Sequence, residues 1–151
     1  RCDAFSTDAS QLAGIRVGSM SRPEDHVVLP ELISKEPLSP AVRKGDPQFF
    51  DIVRWTVFAL LIAEEFGVTQ ANVDQMLESQ NPEVRRLLGK SGDFGNGIGL
   101  DNRWAYWAIK AVGNYGEIFD RNVGKDSQLN LPRGANALWT HGGLMYAPPI
   151  R

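Results

Sequence analysis

Apolar residues crowd most densely between Phe49 and Phe66, at 49, 50, 52, 53, 55, 57–63 and 66. A band that wide exceeds the stripe of a surface helix and predicts a helix buried on most sides. Its ends are marked as well. Asp46 stands where an N-cap belongs, Pro47 takes the first helical position, and Gly67 closes the helix where positive φ is favoured. Asp51 and Arg54 lie three apart on the narrow polar side. Just upstream, Ser39 to Arg43 reads as a short strand that turns at Lys44-Gly45. The apolar stretch Trp55 to Ala63 is nine residues, against the roughly 20 that a bilayer requires, so the pattern describes a core helix.

On either side the pattern is broken into shorter pieces. Asp3 to Thr7 reads as a strand with Ala4 and Phe5 buried, followed by a helix over Ala9 to Val17. A polar loop, Gly18 to Asp25, leads to a second short strand, His26 to Leu29. Glu31 to Ile33 is extended again before the polar link Ser34 to Pro37. Beyond the long helix, Thr69 caps a helix over Gln70 to Ser79 with Val73, Met76 and Leu77 on one face. Asn81-Pro82-Glu83 starts a short helix to Leu88, stopped by Gly89. Asp101 caps a further helix whose Trp104, Trp107, Ala108 and Ala111 form a packing stripe. Gly113-Asn114 interrupts it, and Tyr115 resumes the helix toward Gly124. The tail, Leu131 to Arg151, is too apolar to be disordered and is expected to lie pinned across the surface in extended form.

Composition narrows the chemistry. Sixteen basic and eighteen acidic residues in 151 leave a formal charge of −2, so no nucleic-acid footprint is present. Cys2 is alone, His26 and His141 are far apart in sequence, and no zinc cluster or other cofactor is expected. Gly92 to Gly99 is glycine-rich but follows no strand and precedes no Lys-Ser/Thr pair, which favours a structural loop over a phosphate loop. His26, at a loop–strand boundary, reads as solvated or backbone-bonded. The chain starts without Met and reads from its first residues like the interior of a fold, so it is expected to be a piece of something longer. One carboxylate stands out. Asp8 ends the first strand, where ligands of open α/β sheets collect, although residue type alone favours a plain helix N-cap.

Several stretches resemble one family. Asp3-Ala-Phe-Ser-Thr-Asp8 resembles the strand-end motif in the second lobe of periplasmic amino-acid-binding proteins of ABC importers. Leu38-Ser-Pro-Ala-Val-Arg-Lys-Gly-Asp46 resembles their crossing back to the first lobe, and Gly113-Asn-Tyr-Gly-Glu-Ile-Phe119 their last helix. An insertion over Val68 to Val112 and the tail from Leu131 to Arg151 are similar to the general L-amino-acid-binding members. The resemblance implies the C-terminal part of a two-lobed α/β clamp of the type 2 periplasmic-binding-protein fold, helix-rich, with a helical insertion and an extended tail. Residues 1–33 would end the second lobe, 34–67 would supply the crossover strand and closing helix of the first, and 68–151 the insertion, last helix and tail. It also implies a non-enzymatic periplasmic protein that hands L-amino acids to a membrane permease. In that family the aspartate matching Asp8 binds the ligand's α-ammonium, and the neighbour matching Thr7 lines the cleft. The family's arginine clamp and the aromatic wall of its cleft precede this segment. Unpaired strand edges in such a piece would favour self-association or swapping. An enzyme on the same clamp, or a helical interaction module over Gln70 to Val123, are the other classes compatible with the residues.

Overall fold

The structure, a computed structural model, describes residues 3–151; Cys2, whose pairing the sequence leaves open, lies outside the described residues. By internal contact the chain divides into two compact units, Arg1–Ser39 with Asp120–Pro132, and Pro40–Phe119 with Arg133–Arg151.

The second unit is helical and holds the core. Helix α2, Pro47–Glu65, has the ends the sequence dictates. The Asp46 carboxylate accepts from the Phe49 N–H at 3.0 Å, and Gly67 follows with φ 65°. Asp51 and Arg54 pair at 2.7 Å on its polar side. Three further helices surround it: α3 (Val73–Met76), α4 (Pro82–Leu87) and α5 (Trp104–Val112). Ala59, Leu61, Ile62 and Ala63 of α2 meet Val68, Val73, Val84, Leu87 and Leu88, with Ala105, Tyr106 and Ile109 of α5. The expected all-round burial of α2 holds only for its C-terminal half. Phe49 and Phe50 near its start are half exposed, because α4 and α5 gather around the other end.

Two helices depart from the sequence reading in detail. The helix expected over Gln70 to Ser79 shrinks to α3. Thr69 and Asn72 bond each other's backbone N–H groups, so the first turn is spent on a side-chain-closed loop. In α5 the buried face is Ala105, Tyr106 and Ile109, while Trp107 points outward under the Arg103 guanidinium at 5.2 Å. Asp101 does close its start, accepting from the Arg103 N–H at 2.8 Å. The glycine-rich loop is held by Asn102, which donates to the Gly89 and Gly92 carbonyls and accepts from the Gly95 N–H.

Helix α6, Tyr115–Asn122, begins after the Gly113 turn with a reciprocal cap. The Asn114 side chain accepts from the Glu117 N–H at 3.0 Å, and the Glu117 carboxylate accepts from the Asn114 N–H at 2.8 Å. The tail is pinned as expected, with Leu138, Ala147 and Ile150 buried, but it is not simply extended. It folds through short turns at Gly134–Asn136 and Trp139–His141. Arg133 anchors it. Its guanidinium pairs with both oxygens of Glu64 at 2.9 and 3.0 Å and lies over the Tyr115 and Phe119 rings. A Cβ at position 116 would come within 2.9 Å of that guanidinium and 3.0 Å of the Glu64 carboxylate, so glycine there leaves room for the ion pair. Burial raises the pKa of the Tyr115 hydroxyl above the ordinary tyrosine value.

The first unit contains α1, Ala9–Gly18, a short turn at Pro23–Asp25, and long extended segments. The three strands expected at Asp3 to Thr7, His26 to Leu29 and Ser39 to Arg43 do not form: none of these stretches is a strand and none joins a ladder. Among the described residues the single β contact is an isolated parallel bridge between Leu138 and Met145. Phe5 is exposed rather than buried. Strands of a parallel α/β sheet often pair with a strand that is not next in sequence, so a helix between two extended segments does not by itself bring them together. No helix among the described residues is long and apolar enough to cross a membrane.

Candidate functional site

Thr7 and Asp8 sit at the entry to α1. Asp8 has extended backbone angles (φ −55°, ψ 144°), and its carbonyl accepts the first helical bond from Leu12 at 2.8 Å. Its side chain occupies the capping position yet accepts no bond from the helix. A capping aspartate would use its carboxylate on the first free N–H groups. Instead the Glu36 carboxyl, from the link that precedes Pro37, stands beside the Asp8 carboxyl. Hydrogen bonding with Asp8, and then its charge, raise the pKa of the Glu36 carboxyl above the ordinary glutamate value. The Thr7 hydroxyl bonds the Gln11 side chain one turn along α1.

Two adjacent carboxyl groups repel when both are ionised, and the repulsion is relieved by a shared proton or by a cation. The arrangement is therefore suited to an ammonium group, which can donate to both. Reading the sequence singled out Asp8 and Thr7 but missed Glu36, which lies 28 positions further on in a polar link with no motif around it. The only sequence signal is an acidic residue just ahead of the Pro37-Leu-Ser-Pro40 crossover. His26 bonds the Arg22 carbonyl through Nδ1 at 3.0 Å, in keeping with a backbone-bonded histidine.

Elsewhere the second unit carries a polar cluster. Asp74 accepts from the Tyr106 hydroxyl at 2.6 Å and from the Lys110 ammonium at 2.9 Å to each oxygen, tying α3 to α5. Two depressions mark the surface of the same unit. One, about 260 Å³, is lined by Val42 to Pro47 and Phe50; the other, about 180 Å³, lies between the end of α2 and the tail. Neither is lined by Thr7 or Asp8.

No family model matches the chain. It is 57% identical over its full length to the general L-amino acid-binding periplasmic protein AapJ of Rhizobium johnstonii, of which it covers 45%. It is 54% identical over its full length to the putative amino-acid ABC transporter-binding protein YhdW of Escherichia coli, covering 44% of it. Over 99% of the chain it is 56% identical to the glutamate/glutamine/aspartate/asparagine-binding protein BztA of Rhodobacter capsulatus, again covering 44%. The chain thus spans less than half the length of the curated relatives it matches. Among solved structures, a periplasmic binding protein of an ABC transporter from Brucella ovis, with glutathione bound, superposes with a TM-score of 0.94 at 54% identity. The match covers 99% of this chain and 47% of that one, so the arrangement of helices and extended segments is that of part of a periplasmic-binding-protein fold.

Proposed function

The chain is homologous along essentially its whole length to periplasmic amino-acid-binding proteins of ABC transporters, and from that premise we propose that it forms part of a two-lobed clamp that captures L-amino acids. The clamp works in the periplasm and delivers its ligand to a membrane permease. Asp8 receives the ligand's α-ammonium, Thr7 lines the cleft beside it, and Glu36 is the second carboxyl that the ammonium meets. The observation that carries this reading is the Asp8 side chain, which leaves the helix start uncapped and faces another carboxyl instead. Residues 1–33 end one lobe, 34–67 cross to the other and supply its closing helix, and 68–151 add the insertion, last helix and tail. The bare extended segments then find their ladder partners in the remainder of the clamp; lacking them, they favour self-association. The relatives are named for binding, and no residue here is given a catalytic role.

Closure of such a clamp is driven by the ligand's preference for the closed state, so losing one charge partner should weaken binding directly. Asp8→Asn in the two-lobed protein should cost about 2–4 kcal/mol, the range for breaking a desolvated charge pair. Because every amino acid carries the α-ammonium, the loss should be alike for glutamate, arginine and leucine. Calorimetry with those three ligands decides the matter. Unchanged affinities would leave Asp8 a structural residue, and a loss for one side-chain class alone would place it in a specificity pocket.

A further inference from the structure

The 180 Å³ depression at the end of α2 is lined by Ile62, Glu65 and Phe66, by Glu83 of α4, and by Trp139, Tyr146 and Arg151 among the tail residues. Trp139 and Tyr146 are 51% and 62% exposed, and their rings meet edge to face at 5.9 Å. Exposed aromatic pairs are ordinarily costly to hold in place, yet the backbone beneath this one is fixed. Trp139 N–H donates to the Met145 carbonyl at 3.0 Å, and Met145 N–H to that of Ala137 at 3.1 Å. At Gly143, between them, a Cβ would run into the Ala137 carbonyl, so the loop closes in one form.

Five other rings of the chain hold a guanidinium, whereas Phe5 and Phe49 are exposed with none over them among the described residues. Arg54 covers Phe50, Arg103 covers Tyr106 and Trp107, and Arg133 covers Tyr115 and Phe119. Among the described residues no cation lies over Trp139 or Tyr146. Glu65 beside them is exposed and makes no ion pair among the described residues, whereas Glu83 is engaged by Arg86 at 3.2 Å. A rigid aromatic pair next to an uncommitted carboxylate is complementary to a flat, weakly hydrated cation. We propose that this depression is a protein-docking site that receives an arginine side chain from a partner, with Trp139 and Tyr146 supplying the ring faces and Glu65 the counter-charge. Trp, Tyr and Arg are the residue types that dominate binding energy at interfaces, which fits a single-side-chain anchor.

The depression is lined by neither Thr7 nor Asp8, so its test can succeed or fail independently of amino-acid capture. The probe is N-acetyl-arginine methylamide, which has neither a free ammonium nor a free carboxylate at Cα. The neutral isostere is the citrulline analogue. Titrated into the full protein and followed through the Trp139 indole N–H resonance, the arginine probe should saturate in the millimolar range. The citrulline analogue should bind at least fivefold more weakly. Glu65→Gln, a change on the exposed surface, should weaken the arginine probe by a similar factor without altering the melt, and Trp139→Ala, which removes the reporting resonance and is therefore followed by calorimetry, should abolish binding. Arg151→Ala should leave binding equal or tighter, since Arg151 is the depression's own competing cation. Equal binding of both probes, no saturable shift, or an unaffected Glu65→Gln would overturn the proposal. So would a monomer–dimer equilibrium abolished by Trp139→Ala in the absence of probe, which would make the patch a self-association surface.

Discussion

The stretch 26–38 is richer in aliphatic residues than the second unit, yet it leaves exposed what the second unit buries. Around α2 and α5, Leu87, Leu88, Ile109 and Val68 are fully enclosed. In the extended stretch Val27, Leu32 and Ile33 are each about 80% exposed. A helix satisfies its backbone within itself, so a few helices with matched apolar faces can close a core from one continuous piece of chain. A strand satisfies its backbone only through neighbours, and its side chains are buried only when a sheet face is covered. The contrast shows that burial in this chain follows the source of the hydrogen bonds: local hydrogen bonding accompanies a local core, and non-local hydrogen bonding leaves apolar side chains waiting for a partner.

The strongest test of that contrast is a pair of truncations. Ile109→Ala opens a cavity beside α2 and should cost about 2–5 kcal/mol of stability, as large-to-small core changes do. Leu32→Ala should change the stability of the 151-residue chain by no more than about 0.5 kcal/mol, as for other surface positions. Denaturant melts of both variants supply the measurement. A Leu32→Ala loss comparable to that of Ile109→Ala would break the comparison, because it would mean the extended stretch is covered after all. In the two-lobed protein the same Leu32→Ala change should become costly, which would sharpen it.

A smaller effect concerns the joint at which α5 gives way to α6. Among the described residues Asn114 is the one buried polar or charged residue; it donates to the Val68 carbonyl at 2.9 Å and accepts from the Glu117 N–H. Asn114→Ala strands the Val68 carbonyl and removes the cap, at an expected cost of about 1–3 kcal/mol. Asn114→Asp keeps the acceptor for the Glu117 N–H but loses the donor. It also adds a charge beside the Glu117 carboxylate, so it should recover none of the loss. A fully stable Asn114→Ala variant would mean that the helix break is held by Gly113 alone.

What the sequence made legible follows the same division. The Asp46-Pro47 and Asn81-Pro82 starts, the Gly67 and Gly89 stops and the Gly113-Asn114 break all stand where the residues put them, because caps and positive-φ glycines act within one turn. The strand readings at 3–7, 26–29 and 39–43 did not hold, because a strand forms only where a partner supplies its ladder, and that depends on residues distant in sequence. Side-chain networks spanning elements were likewise unreadable. Nothing around Arg133 announces its pairing with Glu64, 69 positions away, and nothing around Glu36 announces Asp8. Residue type in a strand-end position sufficed to single out Asp8, and only the structure supplied its carboxyl neighbour. The choice of buried face in α5 also needed the structure. Both Trp104/Trp107 and Ala105/Tyr106/Ile109 have helical spacing, and the packing of α3 against α5 selects the second.

The smallest expected effect comes from the polar cluster linking α3 and α5, where the helical unit supplements its core with charge. Lys110, and then the Tyr106 hydroxyl, hold the Asp74 carboxyl below the usual aspartate range, while Asp74 holds the Lys110 ammonium above the usual lysine range. For Asp74 the folded-state pKa is lowered, so its stabilising contribution is present above the unfolded value of about 3.9 and is lost as pH falls through the lowered folded value. For Lys110 the folded-state pKa is raised, so its contribution is present below about 10.4 and is lost as pH rises through the raised value. Asp74→Asn should therefore lower the melting temperature slightly at neutral pH, and the difference from wild type should shrink on acidification below the usual aspartate range. Both charged groups are open to solvent, so added salt should shrink it as well. Melts of the two proteins at neutral and strongly acid pH, each at low and high salt, separate the contributions. A deficit that persists undiminished in acid would assign the cluster's value to the neutral Tyr106 hydrogen bond rather than to the ion pair. No deficit under any condition would show that α3 is held to α5 by Val73 and the core alone.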